Sequence, residues 1–229
     1  MAPIIEVSDE TLKTMHPSVY ILRRDLENKA EKSAETSQYI HIPSLNIEFE
    51  TKRTLLGKNW YETHKELLAN GKSMPTPIEF LESLKYIKEN NPELYREITE
   101  VRNSWRANWL DADFKVKDGK LHINYNHFLD NNGVLVPKNS EVLDKNTLMN
   151  DKTPGISLED YILKNHTSQG LPSKKVKSGS LYYWYPRSDD NSVAGICADS
   201  KEVDLDCYGD PSDGVSGLGV FAVKRNSRN

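Results

Sequence analysis

Hydrophobic and polar positions alternate in short runs along the last quarter of the chain, and polar loops separate the runs. The four runs span residues 181–185, 193–198, 202–208 and 218–223. In the third run, apolar residues fall on one face of a strand and acids and a tyrosine on the other: Val203, Leu205 and Cys207 against Asp204, Asp206 and Tyr208. The pattern predicts a buried scaffold with an exposed face of acids and aromatic residues, which is what a binding surface requires.

Two amphipathic helices are predicted between residues 59 and 90. Asn59 can cap the first helix, which begins at Trp60 and ends at Asn70–Gly71. The second helix opens with a capping box and with a proline at its first helical position: Thr76, Pro77 and Glu79. Each helix carries an apolar stripe, which we expect to face a core.

A third helix is predicted from Asn91–Pro92 to about Asn103, with an inward stripe of Leu94, Ile98 and Val101. Just after it, Trp105 and Trp109 are four residues apart, which places them on one side of a helical turn. A sugar or a base could stack on these two rings. Core packing between helix and sheet is the better interpretation.

Strands are predicted on both sides of these helices. Short alternating runs occupy 39–42 and 46–50, and Asp118–Gly119 indicates a hairpin between 114–116 and 121–125. The polar segment that follows, 126–156, is expected to be a long loop with one short strand at 134–136, after which Ser157 can cap a short helix. The fold class is therefore α+β. We expect an N-terminal helical extension over 1–37, in which Ser18 can cap a helix, before a domain over 38–229.

Composition and charge exclude several classes of function. The chain has 229 residues, with 37% hydrophobic residues and a net charge of −4, which disfavours a non-specific nucleic-acid binder. No run approaches the roughly 20 apolar residues that cross a bilayer, and the N-terminus has no signal-peptide pattern. Without an export signal, the two cysteines, Cys197 and Cys207, are expected to be free thiols.

No motif in the chain predicts a catalytic or metal centre. The six histidines are scattered, and His122 and His127 are expected on opposite faces of a strand, so no metal ligands and no cofactor are assigned. Serine-nucleophile and phosphate-loop motifs are absent. The C-terminal aspartates form either a solvated acidic face, which we favour, or a cation site. The aromatic run Tyr182–Tyr185 places two rings on each side of a strand, so that one pair is exposed or all four are covered by loops.

Two separated segments resemble the formylglycine-generating-enzyme branch of the C-type lectin fold. The first runs from Trp60 to Tyr86, where six positions match the helix–loop–helix of that fold: Gly71, Met74, Pro75, Thr76, Glu79 and Phe80. The second is the end of the chain, Leu218–Arg225, which resembles the closing strand. The resemblance covers roughly residues 40 to 225. It implies an α+β lectin-like domain with helices on a small, twisted antiparallel sheet and much irregular loop.

Within this fold, the chain is most similar to the variable proteins of diversity-generating retroelements, of the archaeal and viral type. The pattern S-V-A-x-x-x-A-D-S, V-D-L-D-C, D-P-S and S-x-L-G-V-F-A-V over 192–223 resembles their C-terminal cassette. In that family a reverse transcriptase rewrites the 3′ end of the gene at adenines and so randomises a ligand-binding surface. Two features depart from relatives of the fold. Cys197 and Cys207 are ten residues apart, wider than an oxidase pair, and the calcium signatures of sugar-binding lectins are absent.

The resemblance implies a non-enzymatic receptor-recognition protein that contacts a protein or glycan partner, on a virion or at a cell surface, through residues within about 180–225. Its scaffold positions would be Ala194, Ala198, Val203, Leu205, Leu218, Val220 and Phe221. Its ligand contacts would be Tyr183, Tyr185, Arg187, Asp189, Asp190, Asn191, Ser192, Asp199, Lys201, Asp204, Asp206, Tyr208, Asp210, Ser212 and Asp213. The alternatives are an oxidase of the formylglycine-generating type, a hydrolase that uses the aspartates, and a virion structural or adhesin module without diversification.

Overall fold

The computed structural model describes residues 9–15, 20–21, 38–187 and 191–226, and the chain divides into two compact units, Met1–Ile40 and His41–Asn229. In the first unit, helix α1 spans Asp9–Met15. Most of the helix predicted after Ser18 lies outside the described residues. The second unit combines helices with a large sheet, so the predicted α+β class is confirmed.

Four helices of the second unit begin where the sequence predicted. They are α2 (Trp60–Ala69), α3 (Pro77–Asn90), α4 (Pro92–Thr99) and α5 (Leu158–Leu163). Capping boxes at Asn59 and Thr76 fix the first turns of α2 and α3, because each cap side chain and the glutamate three residues later satisfy each other's backbone N–H groups. Helix α4 ends earlier than predicted, since Glu100 is already extended. Val101 is 47% exposed, so its predicted inward position is wrong.

An eight-stranded sheet dominates the second unit. Its strands are β3 (Arg106–Lys117), β4 (Lys120–Leu129), β5 (Leu135–Val142), β6 (Lys152–Ile156), β7 (Leu181–Trp184), β8 (Ser192–Ala198), β9 (Val203–Gly209) and β10 (Leu218–Gly219). Seven follow the order β5-β4-β3-β8-β9-β7-β6, and β10 pairs with β3. The pairs β7·β9 and β10·β3 are parallel and the other pairs are antiparallel. The expectation of a small, purely antiparallel sheet is therefore wrong.

Two local expectations are wrong for related reasons. The segment 126–156 is largely strand, because β4 and β5 form a long hairpin whose outer strand is mostly polar and exposed and so shows no alternation of hydrophobicity. Trp105 and Trp109 do not share a helical turn, since β3 begins at Arg106. Residues 106–114 are all buried, so burial there follows neither a helical nor a strand period. A register shift against β8 between Trp109 and Asp113 interrupts the ladder.

The end of the chain closes the second unit. A three-stranded sheet has the order β1 (Tyr39–Ile42), β2 (Ile47–Glu50) and β11 (Val223–Arg225), with Phe49 opposite Val223. Next to this pair, the Phe49 ring stacks on Phe221 with the ring centroids 5.7 Å apart. All the predicted scaffold positions are buried, which confirms their inward placement: Ala194, Ala198, Val203, Leu205, Leu218, Val220 and Phe221. No helix within the described ranges combines the length and apolar character that a membrane span needs.

Candidate functional site

The outer face of four neighbouring strands carries most of the candidate chemistry. Strand pairing aligns Trp109, Gly195, Asp206 and Trp184 in one row across β3, β8, β9 and β7. The next row along the strands consists of Ala107, Cys197, Asp204 and Tyr182. Because side chains alternate along a strand, the opposite face receives Val203, Leu205 and Cys207, which are buried as predicted. The outer face is only partly buried at β7 and β9, where it carries acids and aromatic rings, whereas at β3 its residues Ala107 and Trp109 belong to a hydrophobic core cluster.

A cavity of about 130 Å³ opens on this face, and we call it the tryptophan pocket. Its walls include Trp105, Trp109, Cys197, Asp206, Asp213, Val215 and Leu218. Trp109 is buried, and its indole N–H donates to the Lys58 carbonyl at 3.2 Å, whereas Trp105 is 41% exposed. Gly217 packs against Trp105 so closely that a Cβ there would lie 2.5 Å from the ring. Glycine at 217 is therefore required for the indole to occupy this position.

The two aspartates on the outer face of β9 are partly desolvated. Burial, assisted by the nearby Glu202, raises the pKa of Asp204 to about 6. Burial also raises the pKa of Asp206, although the Tyr208 backbone N–H donates to its Oδ1 at 2.7 Å and opposes the change. Both groups would gain from a positive partner, because a cation repays part of the cost of burying a carboxylate.

A second depression, of about 450 Å³, adjoins the tryptophan pocket at Gly209, and we call it the tyrosine depression. Five residues predicted as ligand contacts line it: Asn191, Ser192, Tyr208, Asp210 and Ser212. Tyr61, from α2, completes the wall. Asp210 is held in place, because its carboxylate accepts hydrogen bonds from the Ser212 backbone N–H at 2.8 Å and from the Ser212 hydroxyl at 2.6 Å.

Arg187 contacts the Tyr208 ring, although Arg187 itself lines a different depression together with Tyr185. Its guanidinium carbon lies 4.2 Å from the centre of the Tyr208 ring and 5.8 Å from that of Tyr185, within cation–π range. The same guanidinium donates to Asp151 at 3.1 Å, and Asp151 also accepts from the Tyr185 backbone N–H. One face of the Tyr208 ring is thus covered by the Arg187 guanidinium, and the ring remains 44% exposed.

Two of the predicted ligand contacts are buried, although one of them borders the tyrosine depression, and two others lie outside the described residues. Tyr183 is 0% exposed and its hydroxyl donates to the Leu148 carbonyl at 3.0 Å, so its predicted exposure is wrong: β7 turns Leu181 and Tyr183 inward and Tyr182 and Trp184 outward. Ser192 is 3% exposed, since it pairs with Phe114 of β3, and its predicted exposure is also wrong. Asp189 and Asp190 lie outside the described residues.

Asp199 and Lys201 form the turn between β8 and β9, where Asp199 accepts hydrogen bonds from two backbone N–H groups. This turn is at the opposite end of the β8·β9 hairpin from Tyr208 and Asp210. The structure therefore does not bring these two residues together with the depressions. Sequence reasoning missed Tyr61 and Asp151, because they lie far from 180–225 in the chain. It named Trp105 and Trp109 as a stacking site but preferred core packing, which is right for the buried Trp109 and wrong for the exposed Trp105.

A buried histidine–aspartate cluster lies elsewhere, between α2, β3 and β4. His127 Nδ1 lies 2.5 Å from Asp111 Oδ1, and His127 Nε2 lies 3.5 Å from Asp113 Oδ1. Burial alone would lower the pKa of His127, but the hydrogen bond with Asp111 and the nearby carboxylate of Asp113 outweigh burial and raise the pKa to about 9. His127 is therefore an imidazolium at neutral pH, and it is placed between two carboxylates.

His64 completes the cluster as a neutral ring. Its Nε2 lies 3.5 Å from Asp111 Oδ1, and burial lowers the pKa of His64 to about 4. Within the described residues, His64, Asp111 and His127 are close enough together to offer three ligand atoms to a metal ion. However, the Asp111–His127 contact is a hydrogen bond, shorter than the roughly 3.3 Å that separates ligand atoms around a tetrahedral zinc ion with bonds of about 2.0 Å. The geometry favours an ion pair between β4 and β3, next to which the neutral His64 ring of α2 is buried.

The two cysteines are free and lie on opposite faces of the sheet. Cys207 is fully buried among the scaffold residues, whereas Cys197 lies at the wall of the tryptophan pocket. Burial raises the pKa of both thiols. Since a reactive cysteine needs a thiolate, neither position is activated as a nucleophile.

Comparison with known proteins gives no further assignment: no protein-family model, curated protein or solved structure matches the chain.

Proposed function

We propose that this chain is a non-enzymatic binding protein with a C-type lectin-like domain, whose C-terminal surface contacts a protein or glycan partner. We further propose that a diversity-generating retroelement varies this surface. The main support for the proposal is the contrast between buried and exposed residues within 192–223. The apolar positions of that segment other than Val215 are buried or half-buried, while Tyr208, Asp210, Ser212 and Asp213 are exposed around adjoining depressions.

This division would let the surface vary without unfolding the domain. Exposed substitutions usually change stability by about 0.5 kcal/mol or less, whereas truncation of buried apolar residues costs about 2–5 kcal/mol. The contact positions lie mainly in loops and at strand ends, which the packed face of β8 and β9 supports. Of the segment Leu218–Arg225, which resembles a closing strand, the last residues pair with β2 as β11, whereas Leu218–Gly219 pairs with β3 as β10.

The oxidase alternative gains little from the cysteines. An oxidase pair must approach to disulfide distance, which requires Cα atoms within about 7 Å and side chains directed at each other. Cys197 and Cys207 point to opposite faces of the sheet, and burial raises the pKa of each thiol. An aldehyde-forming assay on a cysteine peptide, with the native chain and with Cys197→Ala, tests this alternative; turnover that depends on Cys197 would refute the non-enzymatic assignment.

The retroelement part of the proposal is tested at the DNA level. We expect a near-copy of codons 180–225 that differs almost only at adenines, with a reverse-transcriptase gene nearby. The variable codons should include Tyr208 and Asp210 and should exclude Leu205 and Val220, which are buried. Absence of a second copy would refute diversification and would leave an adhesin or a virion assembly module as the leading function.

The binding surface itself is tested by mutation. Tyr208 and Phe128 are both aromatic strand residues with 44% exposure, but Phe128 lies on β4, outside the C-terminal surface. Binding to candidate cells, particles or glycan arrays should fall at least tenfold for Tyr208→Ala and less than twofold for Phe128→Ala, with similar melting temperatures for both variants. Equal losses would show that the contact lies elsewhere.

A further inference from the structure

The tryptophan pocket combines two indole rings with two carboxylates. Trp105 and Trp109 form aromatic walls, and Asp206 and Asp213 place acids at the same cavity. None of the described residues that line the pocket carries a positive charge. Burial raises the pKa of Asp206 and the charge of Arg187 only opposes that rise; Arg187 is itself engaged by Asp151 and the Tyr208 ring and does not line the cavity.

Apart from Asn108 and the thiol of Cys197, the remaining lining residues are apolar. Ala107, Val215 and Leu218 line the cavity together with the indole rings. A volume of about 130 Å³ is close to that of a cavity that holds one benzene molecule, so one side chain fits and a bulky ligand does not. An occupant must therefore have an apolar stem and a small cationic head. An aliphatic ammonium meets both conditions, because its methylene groups pack on apolar walls while its charge remains at the acids.

We propose that the tryptophan pocket binds an alkylammonium group, the end of a lysine side chain on a protein partner. The inference rests on the proposed binding function and names the chemistry that this surface recognises. The ammonium pairs with Asp206 and Asp213, and the exposed Trp105 ring contributes cation–π attraction. The partner then extends over Gly209 into the tyrosine depression, where Tyr208 provides further contact.

The experiment is a titration of the full chain with n-butylammonium, n-butanol and n-butyrate, followed by the indole N–H signals in NMR spectra. The chain has four tryptophans, and Trp60 is an internal control, because it is buried and its indole donates to the Leu110 carbonyl. We expect saturable shifts of the Trp105 signal with butylammonium at about millimolar concentration, as suits so small a ligand. Butanol should bind at least fivefold more weakly, and butyrate should not bind. Equal affinity for butanol, or no shift of Trp105, would overturn the proposal.

Matched aspartate-to-asparagine variants show whether the carboxylate that binds the amine lies in the tryptophan pocket. Asp206→Asn should weaken butylammonium binding at least fivefold, and Trp105→Ala, followed by the Trp109 indole signal, should abolish it. Asp210→Asn removes the same charge from the tyrosine depression and should change the affinity less than twofold. Trp105 is exposed, so its replacement is not expected to unfold the chain. If Asp206→Asn and Asp210→Asn behave alike, a general negative field rather than the pocket attracts the amine, and the proposal fails.

Two further measurements are needed. One distinguishes a lysine side chain from a free amine as the ligand, and the other distinguishes failure of this inference from failure of the proposed binding function. Nα-acetyl-lysine N-methylamide should bind at least as tightly as butylammonium; if it does not bind, the pocket takes free amines and the partner assignment is wrong. If no amine binds but a macromolecular partner still loses affinity with Tyr208→Ala, this inference fails while the binding function stands.

Discussion

Replacement of Asp111 by asparagine should destabilise the fold strongly, because Asp111 is the carboxylate that most directly supports the buried His127 cation. Asp111 Oδ1 lies 2.5 Å from His127 Nδ1, and its Oδ2 accepts the His127 backbone N–H at 3.2 Å. Both side chains are almost fully buried. Asparagine carries no charge and has only one side-chain oxygen. It can therefore accept from only one of the two His127 N–H groups, and its amide N–H₂ group would face the other. Breaking one side of a buried ion pair typically costs about 3–5 kcal/mol.

The pKa of His127 gives an independent magnitude. It is about 9 in the fold, against an unperturbed value of about 6.5. That difference corresponds to about 3 kcal/mol of stability, at about 1.4 kcal/mol per pKa unit. Because the folded-state pKa is raised, this contribution is fully present below pH 6.5 and is lost as the pH rises through about 9.

The assay is urea unfolding of the native chain, Asp111→Asn and a control at pH 6.5, 7.5 and 9. Asp118→Asn is a suitable control, because Asp118 is exposed at the β3–β4 turn with a positive φ of 52° that asparagine tolerates. We expect Asp111→Asn to lose about 3 kcal/mol at pH 6.5 and clearly less at pH 9, and Asp118→Asn to lose about 0.5 kcal/mol or less. A loss below about 1 kcal/mol for Asp111→Asn, or a loss that does not shrink with pH, would refute the ion-pair assignment.

Three further predictions concern a buried hydroxyl, a glycine and the metal question. Tyr183→Phe should cost about 1 kcal/mol in chemical denaturation, because the Leu148 carbonyl loses its donor; no change would mean that water replaces it. Gly217→Ala should displace the Trp105 ring, visible as a changed fluorescence maximum and a lower melting temperature, and an unchanged spectrum would contradict the packing of that wall. Addition of zinc to a metal-free sample should change the melting temperature by less than about 1 °C. A zinc ion that bound the cluster, at a free concentration 100 times its Kd, would add about 2.7 kcal/mol to the free energy of unfolding, and this result would contradict the hydrogen-bonded arrangement.

Local signals in the sequence were sufficient wherever one element determines its own structure. Asn59 and Thr76 begin helices because capping depends on residues three positions apart, and β9 alternates because one of its faces is packed. The same approach failed for the β4–β5 hairpin and for the helical turn predicted at Trp105 and Trp109. In both places burial depends on which strand lies next to the segment, and short-range pattern does not contain that information. The wrong prediction for Tyr183 has the same origin. In a row of four aromatic residues either alternate pair could face inward, and only the pairing of β7 with β6 and β9 decides which pair is buried.

Only part of the candidate site could be predicted from residues 180–225, because the rest comes from distant parts of the chain. Tyr208, Asp210 and Ser212 were found because they are exposed residues within the variable-looking segment. The tryptophan pocket instead requires β3 to lie beside β8, which brings Trp109 opposite Gly195 from a position 86 residues earlier in the chain. If a retroelement rewrites the C-terminal codons, Trp105 and Trp109 fall outside the rewritten segment while Asp206 and Asp213 fall inside it. The aromatic walls would then remain constant as the acids change, so that the pocket would keep its shape and alter the charge of the group it accepts.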